Sequence, residues 1–132
     1  MIYGIGSDVL DIDRLGDYDK SGRLALKILT TTEYNIFLEL NQNQAIRYLA
    51  KQFACKEAVS KAFGTGMRGD IVMSNMEIAR DNQGKPYVKP LGNLQNYMDN
   101  EDITASHCSI SDTKKQVFAV CVLEKGWQIA KL

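Results

Sequence analysis

The chain opens on an apolar run, Ile2, Ile5, Val9 and Leu10, that is too short for a helix and predicts a strand over residues 2–10. Alternation on that strand puts Gly4, Gly6 and Asp8 on one face. Glycines inside a strand mark places where another backbone or a ligand comes close, so this face is expected to stand open beside the carboxylate. Leu24, Leu26, Ile28 and Leu29 predict a helix over residues 20–29, with Lys20, Arg23 and Lys27 forming a basic stripe along it. Thr30-x-x-Glu33 has the form of a capping box and opens a short helix through Leu40, which the polar stretch Asn41–Gln44 closes. The most helix-like segment runs from Gln44 to Phe63, with Ile46, Leu49 and Phe53 at three- and four-residue steps and Gly64 where a C-terminus would take it. Ala50, Ala54, Glu57 and Lys61 share one side of it, so Glu57 is expected to be half buried.

Met76–Arg80 and Lys85–Val88 read as strands joined by Asp81-Asn82-Gln83-Gly84. Leu94, Tyr97 and Met98 mark a short amphipathic helix. Ile103–Ser111 and Gln116–Glu124 make a second hairpin around Asp112–Lys115. One face of its first strand carries Ala105, His107, Ser109 and Ser111, and Cys108 and Cys121 face one another across it. Helices alternate with antiparallel hairpins without βαβ periodicity, which predicts an α+β fold, a long central helix packed on antiparallel strands. At 132 residues the chain is expected to form a single domain, 1–132.

Sixteen basic and sixteen acidic side chains cancel, which argues against general nucleic-acid or membrane-surface binding and leaves any charged partner to a local patch. Met1 is followed by no signal-peptide pattern, and no window approaches the roughly 20 apolar residues of a membrane span, so a cytoplasmic protein is expected. Cys55, Cys108 and Cys121 are odd in number and lack CxxC spacing, which points to reduced, packed thiols.

Asp8 and Glu57, two carboxylates in semi-apolar settings, are what an Mg²⁺ site needs when substrate phosphates and waters complete the octahedron. Lys61 and the loop Gly64-Thr65-Gly66 place an ammonium beside backbone N–H groups able to meet a phosphate, although the glycines follow a helix and do not form a Walker A loop. The same residues also admit plain structural readings: a Glu57–Lys61 ion pair worth about 0.2–0.5 kcal/mol, a helix stop at Gly64 and a solvated basic face. His107, the single histidine, has no companion acid that would make a Ser/His/Asp triad.

Gly4-Ile5-Gly6-Ser7-Asp8-Val9, the run Phe53-Ala54-Cys55-Lys56-Glu57-Ala58-Val59-Ser60-Lys61-Ala62-Phe63-Gly64-Thr65-Gly66, Gly84-Lys85-Pro86 and Ser106-His107-Cys108-Ser109-Ile110-Ser111 resemble the holo-acyl-carrier-protein synthase family, in order and over nearly the whole chain. The resemblance implies transfer of phosphopantetheine from coenzyme A to a carrier-protein serine, with release of adenosine 3′,5′-bisphosphate. It implies a homotrimer with coenzyme A in a cleft between subunits. By the same likeness Asp8 and Glu57 hold Mg²⁺, Lys61 neutralises the phosphates, Gly64, Thr65, Gly66 and Lys85 border the coenzyme, and His107 helps hold the 3′-phosphate end. Arg14, Lys20, Arg23 and Lys27 become a docking surface for an acidic acyl carrier protein.

Two departures stand out. Gln52 occupies a position where relatives commonly carry arginine, and Asp112 follows Ser-Ile-Ser where many have histidine; both remove phosphate-binding groups, for which Arg47 or Lys51 would have to substitute. Two other readings use the same residues: a metal-dependent phosphohydrolase, and a non-catalytic trimer that binds coenzyme A or a carrier protein. The tail with Trp127 is expected to cap the core or an interface.

Overall fold

In the computed structural model, which describes residues 1–18 and 22–126, the predicted strand spans Ile2–Asp11 (β1) and passes directly into a helix over Ile12–Tyr18 (α1). The expectations above contain no such helix. Its sequence signal is Ile12 and Leu15, three residues apart and both buried. The next helix covers Arg23–Ile28 (α2), shorter than expected because Gly22 at its start is left-handed, with φ 70°. Lys20 lies outside the described residues, as does Trp127 with the rest of 127–132.

The helix Thr31–Glu39 (α3) opens on the expected capping box: Thr30 Oγ1 accepts the Glu33 N–H at 3.2 Å, and Glu33 Oε1 accepts the Thr30 N–H at 2.9 Å. The long helix Gln42–Phe63 (α4) begins two residues earlier than expected because Asn41 Oδ1 caps it, accepting the Gln44 N–H at 2.9 Å. It ends at Gly64, whose φ of 79° is open to glycine at no steric cost. After a 3₁₀ turn at Met73–Asn75 come Met76–Arg80 (β2), Pro86–Pro90 (β3), the helix Asn93–Asn100 (α5), and the long hairpin Ile103–Asp112 (β4) and Gln116–Lys125 (β5).

The expected α+β class holds. One antiparallel sheet has the order β1-β5-β4, and β2–β3 forms a separate hairpin tied to it where Ser106 Oγ accepts the Val88 N–H at 2.9 Å. Helix α4 lies across the inner face of the larger sheet, and the glycines of β1 explain how closely. A Cβ at Gly4 would sit 1.9 Å from Ala62 O, and one at Gly6 would sit 2.0 Å from Ala58 O. The glycine face is therefore filled by the α4 backbone, which corrects the expectation that it stands open. Ala58, Val59 and Ala62 of α4 bury against Ala119, Cys121 and Leu123 of β5, all at most 3% exposed. Each large aliphatic side chain buried there is worth about 1.5–3 kcal/mol.

Cys55, Cys108 and Cys121 are free and buried at this helix–sheet interface, with Cys108 and Cys121 directly paired across the ladder. Hydrogen bonding to Cys108 and burial push the thiols of Cys55 and Cys121 up, which keeps them protonated. On the opposite face of the sheet, Ile5, Val9 and Phe118 are 64%, 57% and 45% exposed. Among the described residues no helix is long and apolar enough to cross a membrane.

Candidate active site

Asp8 lies on the inner face of β1, opposite Ala119 in the ladder and two residues beyond the Gly6 contact with α4. Glu57 stands on α4, four residues before Lys61. The close approach of strand and helix brings these side chains together. Asp8, Glu57 and Arg14 line one cavity of about 380 Å³, with Leu10, Leu15 and Phe53 among its walls. Lys61 Nζ donates to Asp8 Oδ1 at 3.2 Å and to the Ser7 carbonyl at 2.9 Å. The lysine thus pairs with the strand carboxylate, where the helical spacing alone suggested a bond to Glu57. Its side chain is 53% exposed, so the pair itself is worth at most about 1 kcal/mol.

Glu57 is half buried, as expected. Burial first, and then the negative charge of Asp8, hold its carboxyl above the usual carboxylate range, while Lys61 opposes the shift. The two carboxylates share the cavity with the Arg14 guanidinium, and the Lys61 ammonium bonds Asp8 beside it. No group of three or more His, Cys, Asp or Glu side chains able to hold a metal exists among the described residues. Asp8 and Glu57 alone are the protein ligands that a hard cation takes when it draws its remaining oxygens from phosphate and water, the habit of Mg²⁺.

A second cavity, of about 490 Å³, shares Glu57, Phe53 and Leu24 with the first and is otherwise walled by Lys27, Ile28, Met67, Val72, Met73 and Ser74. A larger cavity, about 560 Å³, is lined in part by Arg47, Lys51, Gln52 and Arg80 and contains neither Asp8 nor Glu57. Size alone does not locate the chemistry.

The other sequence-predicted residues fall in several places. His107 is on the outer face of the sheet, opposite Val122, with Nε2 2.6 Å from Glu124 Oε1. It does not meet Asp8 or Glu57 within one chain. Gly64, Thr65 and Gly66 follow α4; the Gly64 N–H already donates to the Lys61 carbonyl at 3.0 Å, so the helix-stop role is filled. Lys85 sits in the β2–β3 turn, its N–H bound to Asp81 Oδ1 at 2.9 Å. Arg14, Arg23 and Lys27 are all exposed on α1 and α2, and Arg14 and Lys27 each border a cavity that contains Glu57.

The two departures acquire physical reasons. Gln52 is buried and gives its amide to Glu33 Oε2, so it faces the interior. Asp112 accepts from Arg47 at 2.8 Å and has Lys51 at 3.7 Å, while Arg47 also donates to the Thr113 and Lys114 carbonyls. Both cations proposed as substitutes are thus engaged by the chain itself.

Sequence reasoning missed the buried pair Lys56–Glu33. Lys56 is fully buried, and its ammonium donates to Glu33 Oε1 at 2.6 Å, the Ile28 carbonyl at 2.6 Å and the Met73 carbonyl at 2.9 Å. All three of its protons are used. Burial pulls the pKa of Lys56 down, and Glu33 opposes that pull. Glu33 also accepts the Ile78 N–H at 2.8 Å, so it is much more than a helix cap. The signal was present: Leu49, Gln52, Lys56, Val59 and Phe63 recur at helical spacing, a buried stripe with a lysine in its middle.

Residues 4–123 match the 4′-phosphopantetheinyl transferase superfamily. The chain is 41% identical over 127 residues to the holo-[acyl-carrier-protein] synthase of Nitrosomonas europaea, covering 95% of this chain and all of that protein. It is 37% identical over 126 residues to the Bacillus subtilis protein of the same name, covering 95% and 98% of the two chains. Among solved structures, the Neisseria meningitidis holo-[acyl-carrier-protein] synthase superposes with a TM-score of 0.89 at 37% identity, covering 95% of this chain and 100% of that one. The Bacillus anthracis holo-(acyl-carrier-protein) synthase, solved in complex with coenzyme A (3′,5′-ADP), gives a TM-score of 0.75 at 31% identity, covering 96% and 99%.

Proposed function

Because the chain belongs to the 4′-phosphopantetheinyl transferase superfamily and, within it, to the holo-[acyl-carrier-protein] synthases, we propose that it moves 4′-phosphopantetheine from coenzyme A to a serine of apo-acyl carrier protein. Adenosine 3′,5′-bisphosphate leaves. The observation that carries this reading is that the Gly6 contact between β1 and α4 brings Asp8 and Glu57 to one cavity, with Lys61 bonded to Asp8.

Phosphoryl transfer asks mainly for in-line positioning and for stabilisation of charge on the phosphate oxygens. Asp8 and Glu57 are the residues that would hold Mg²⁺, which supplies that charge neutralisation when bound. Lys61 is partly exposed and held at the cavity edge by Asp8, from where its ammonium meets the incoming phosphates. The proton that leaves the serine hydroxyl passes to Glu57 or to a water in the same cavity. The exposed cations Arg14 and Lys27 border the two cavities that contain Glu57, Arg23 is exposed at the start of α2, and together they suit an acidic carrier.

A homotrimer is part of the proposal. The outer sheet face presents Ile5, Val9 and Phe118 to solvent, an apolar surface that a second copy would cover. His107 lies on that same face, turned away from Asp8, so coenzyme A held by both must touch two subunits. Reduced, buried cysteines suit the cytoplasm, where we place this single transferase domain.

Release of adenosine 3′,5′-bisphosphate from coenzyme A, followed by chromatography with and without apo-carrier, tests the reaction class. Release only with carrier is expected. Release of a phosphate without any carrier would instead mark a phosphohydrolase.

A further inference from the structure

Helix α2 carries the exposed cations Arg23 and Lys27 one turn apart, on one side, yet it is only six residues long. A helix that short does not persist on its own hydrogen bonds, so its place is decided by what it packs on. Ala25, Ile28 and Leu29 bury in one cluster with Leu49 of α4. Apolar burial resists lifting the helix away, but it is not directional and leaves the helix free to slide or turn on its neighbour.

The directional contact is at the end of α2. The Ile28 carbonyl, one of the last-turn acceptors that a helix leaves without an internal partner, accepts from Lys56 Nζ at 2.6 Å. The same ammonium donates to the Met73 carbonyl at 2.9 Å and to Glu33 Oε1 at 2.6 Å. Its three protons thus point at three separate segments: α2, the 3₁₀ turn and α3. Lys56 is fully buried and Glu33 is 1% exposed, so these are charge-assisted bonds that water does not screen. The side chain that makes them belongs to the residue immediately before Glu57 on α4. One buried ammonium therefore connects the helix that bears the exposed cations to the helix that bears the site carboxylate.

We propose that Lys56 is a positioning residue for carrier docking: by holding the end of α2 it sets where Arg23 and Lys27 stand relative to Glu57, and so where a docked acidic carrier presents its serine. The inference rests on the transferase reading and adds to it the device that aligns docking with chemistry. Lys56→Met removes the tie and is expected to raise KM for the apo-carrier about tenfold, while the affinity for adenosine 3′,5′-bisphosphate, measured by calorimetry, stays unchanged. Because Lys56 acts through the cations of α2, the two perturbations should not add: Arg23→Glu, which weakens the carrier in the unaltered protein, should change KM less than about twofold in the Lys56→Met background. A residue that only stabilises the fold would lower Tm and leave the two effects additive. Should Lys56→Met not fold, Glu33→Asp decides, since it keeps both charges while drawing the anchor back by one methylene, and a smaller rise in carrier KM with unchanged bisphosphate affinity is then expected. An unchanged carrier KM in the folded variant, equal weakening of carrier and bisphosphate, or full additivity with Arg23→Glu would overturn the inference. Failure of the transferase reading looks different: the unaltered protein would modify no carrier at all.

Discussion

Replacing Gly6 with alanine wedges the strand that carries Asp8 away from the helix that carries Glu57. The added Cβ would sit 2.0 Å from the Ala58 carbonyl oxygen, 2.7 Å from Ala62 N and 2.8 Å from Lys61 Cβ, whereas ordinary contacts begin at 3.4 Å. Two of these neighbours are helix backbone and cannot swing aside. Strand and helix must therefore part by more than an ångström, against the packing of Ala58, Val59 and Ala62 on β5, side chains at most 3% exposed. Overpacking of this kind costs about 1–3 kcal/mol, and a backbone clash this short belongs at the upper end. For a chain of this size that is a fall in Tm of about 10 °C. Displacing Asp8 by about 1 Å relative to Glu57 is expected to lower kcat/KM about a hundredfold. Gly16→Ala is the control. Nothing lies within 4 Å of its added Cβ, it sits inside α1, and alanine there should stabilise by about 0.5–1 kcal/mol. Calorimetric unfolding and carrier-modification kinetics read both effects. A Gly6→Ala protein with unaltered Tm and full activity would refute the argument that the glycine brings the two carboxylates together.

Glu57→Gln should abolish transfer yet raise stability at pH 7. A carboxyl raised above its ordinary value near 4.5 binds its proton more tightly in the folded state, so its charged form opposes folding at neutral pH. The gain, under about 1 kcal/mol for a half-exposed group, should be present above the raised pKa of Glu57 and vanish below 4.5, as unfolding followed across pH will show. Lys56→Met alone leaves Glu33 without its cation and is expected to cost about 3–5 kcal/mol in denaturant unfolding. Arg23→Glu, exposed at the start of α2, should raise KM for an acidic carrier and flatten its salt dependence while kcat holds, as steady-state assays at several ionic strengths will report.

Local chemistry made much of this fold legible beforehand. The capping box at Thr30, the glycine stop after Phe63 and the turn at Asp81–Gly84 each rest on interactions within a few residues, and each stands as expected. What stayed hidden depends on the chain meeting itself. Gly4 and Gly6 signal a close approach, but whether a ligand or a helix fills the space is decided by where α4 packs. The ammonium of Lys61 chooses Asp8 over Glu57 because β1 brings that carboxylate alongside, which no helical spacing records. Gln52 reads as a lost phosphate ligand until its amide is seen turned inward onto Glu33. Helix α1 escaped because its seven residues, about two turns, offer only Ile12 and Leu15 as a pattern.

The most direct test of the account is the intact mass of a purified apo-acyl carrier protein after incubation with this protein, coenzyme A and Mg²⁺, beside an EDTA control and the Asp8→Ala variant. The account predicts one added phosphopantetheine on the carrier, lost with EDTA and lost in the variant. A carrier left unmodified under all conditions while coenzyme A still binds, or full modification by Asp8→Ala, would contradict it.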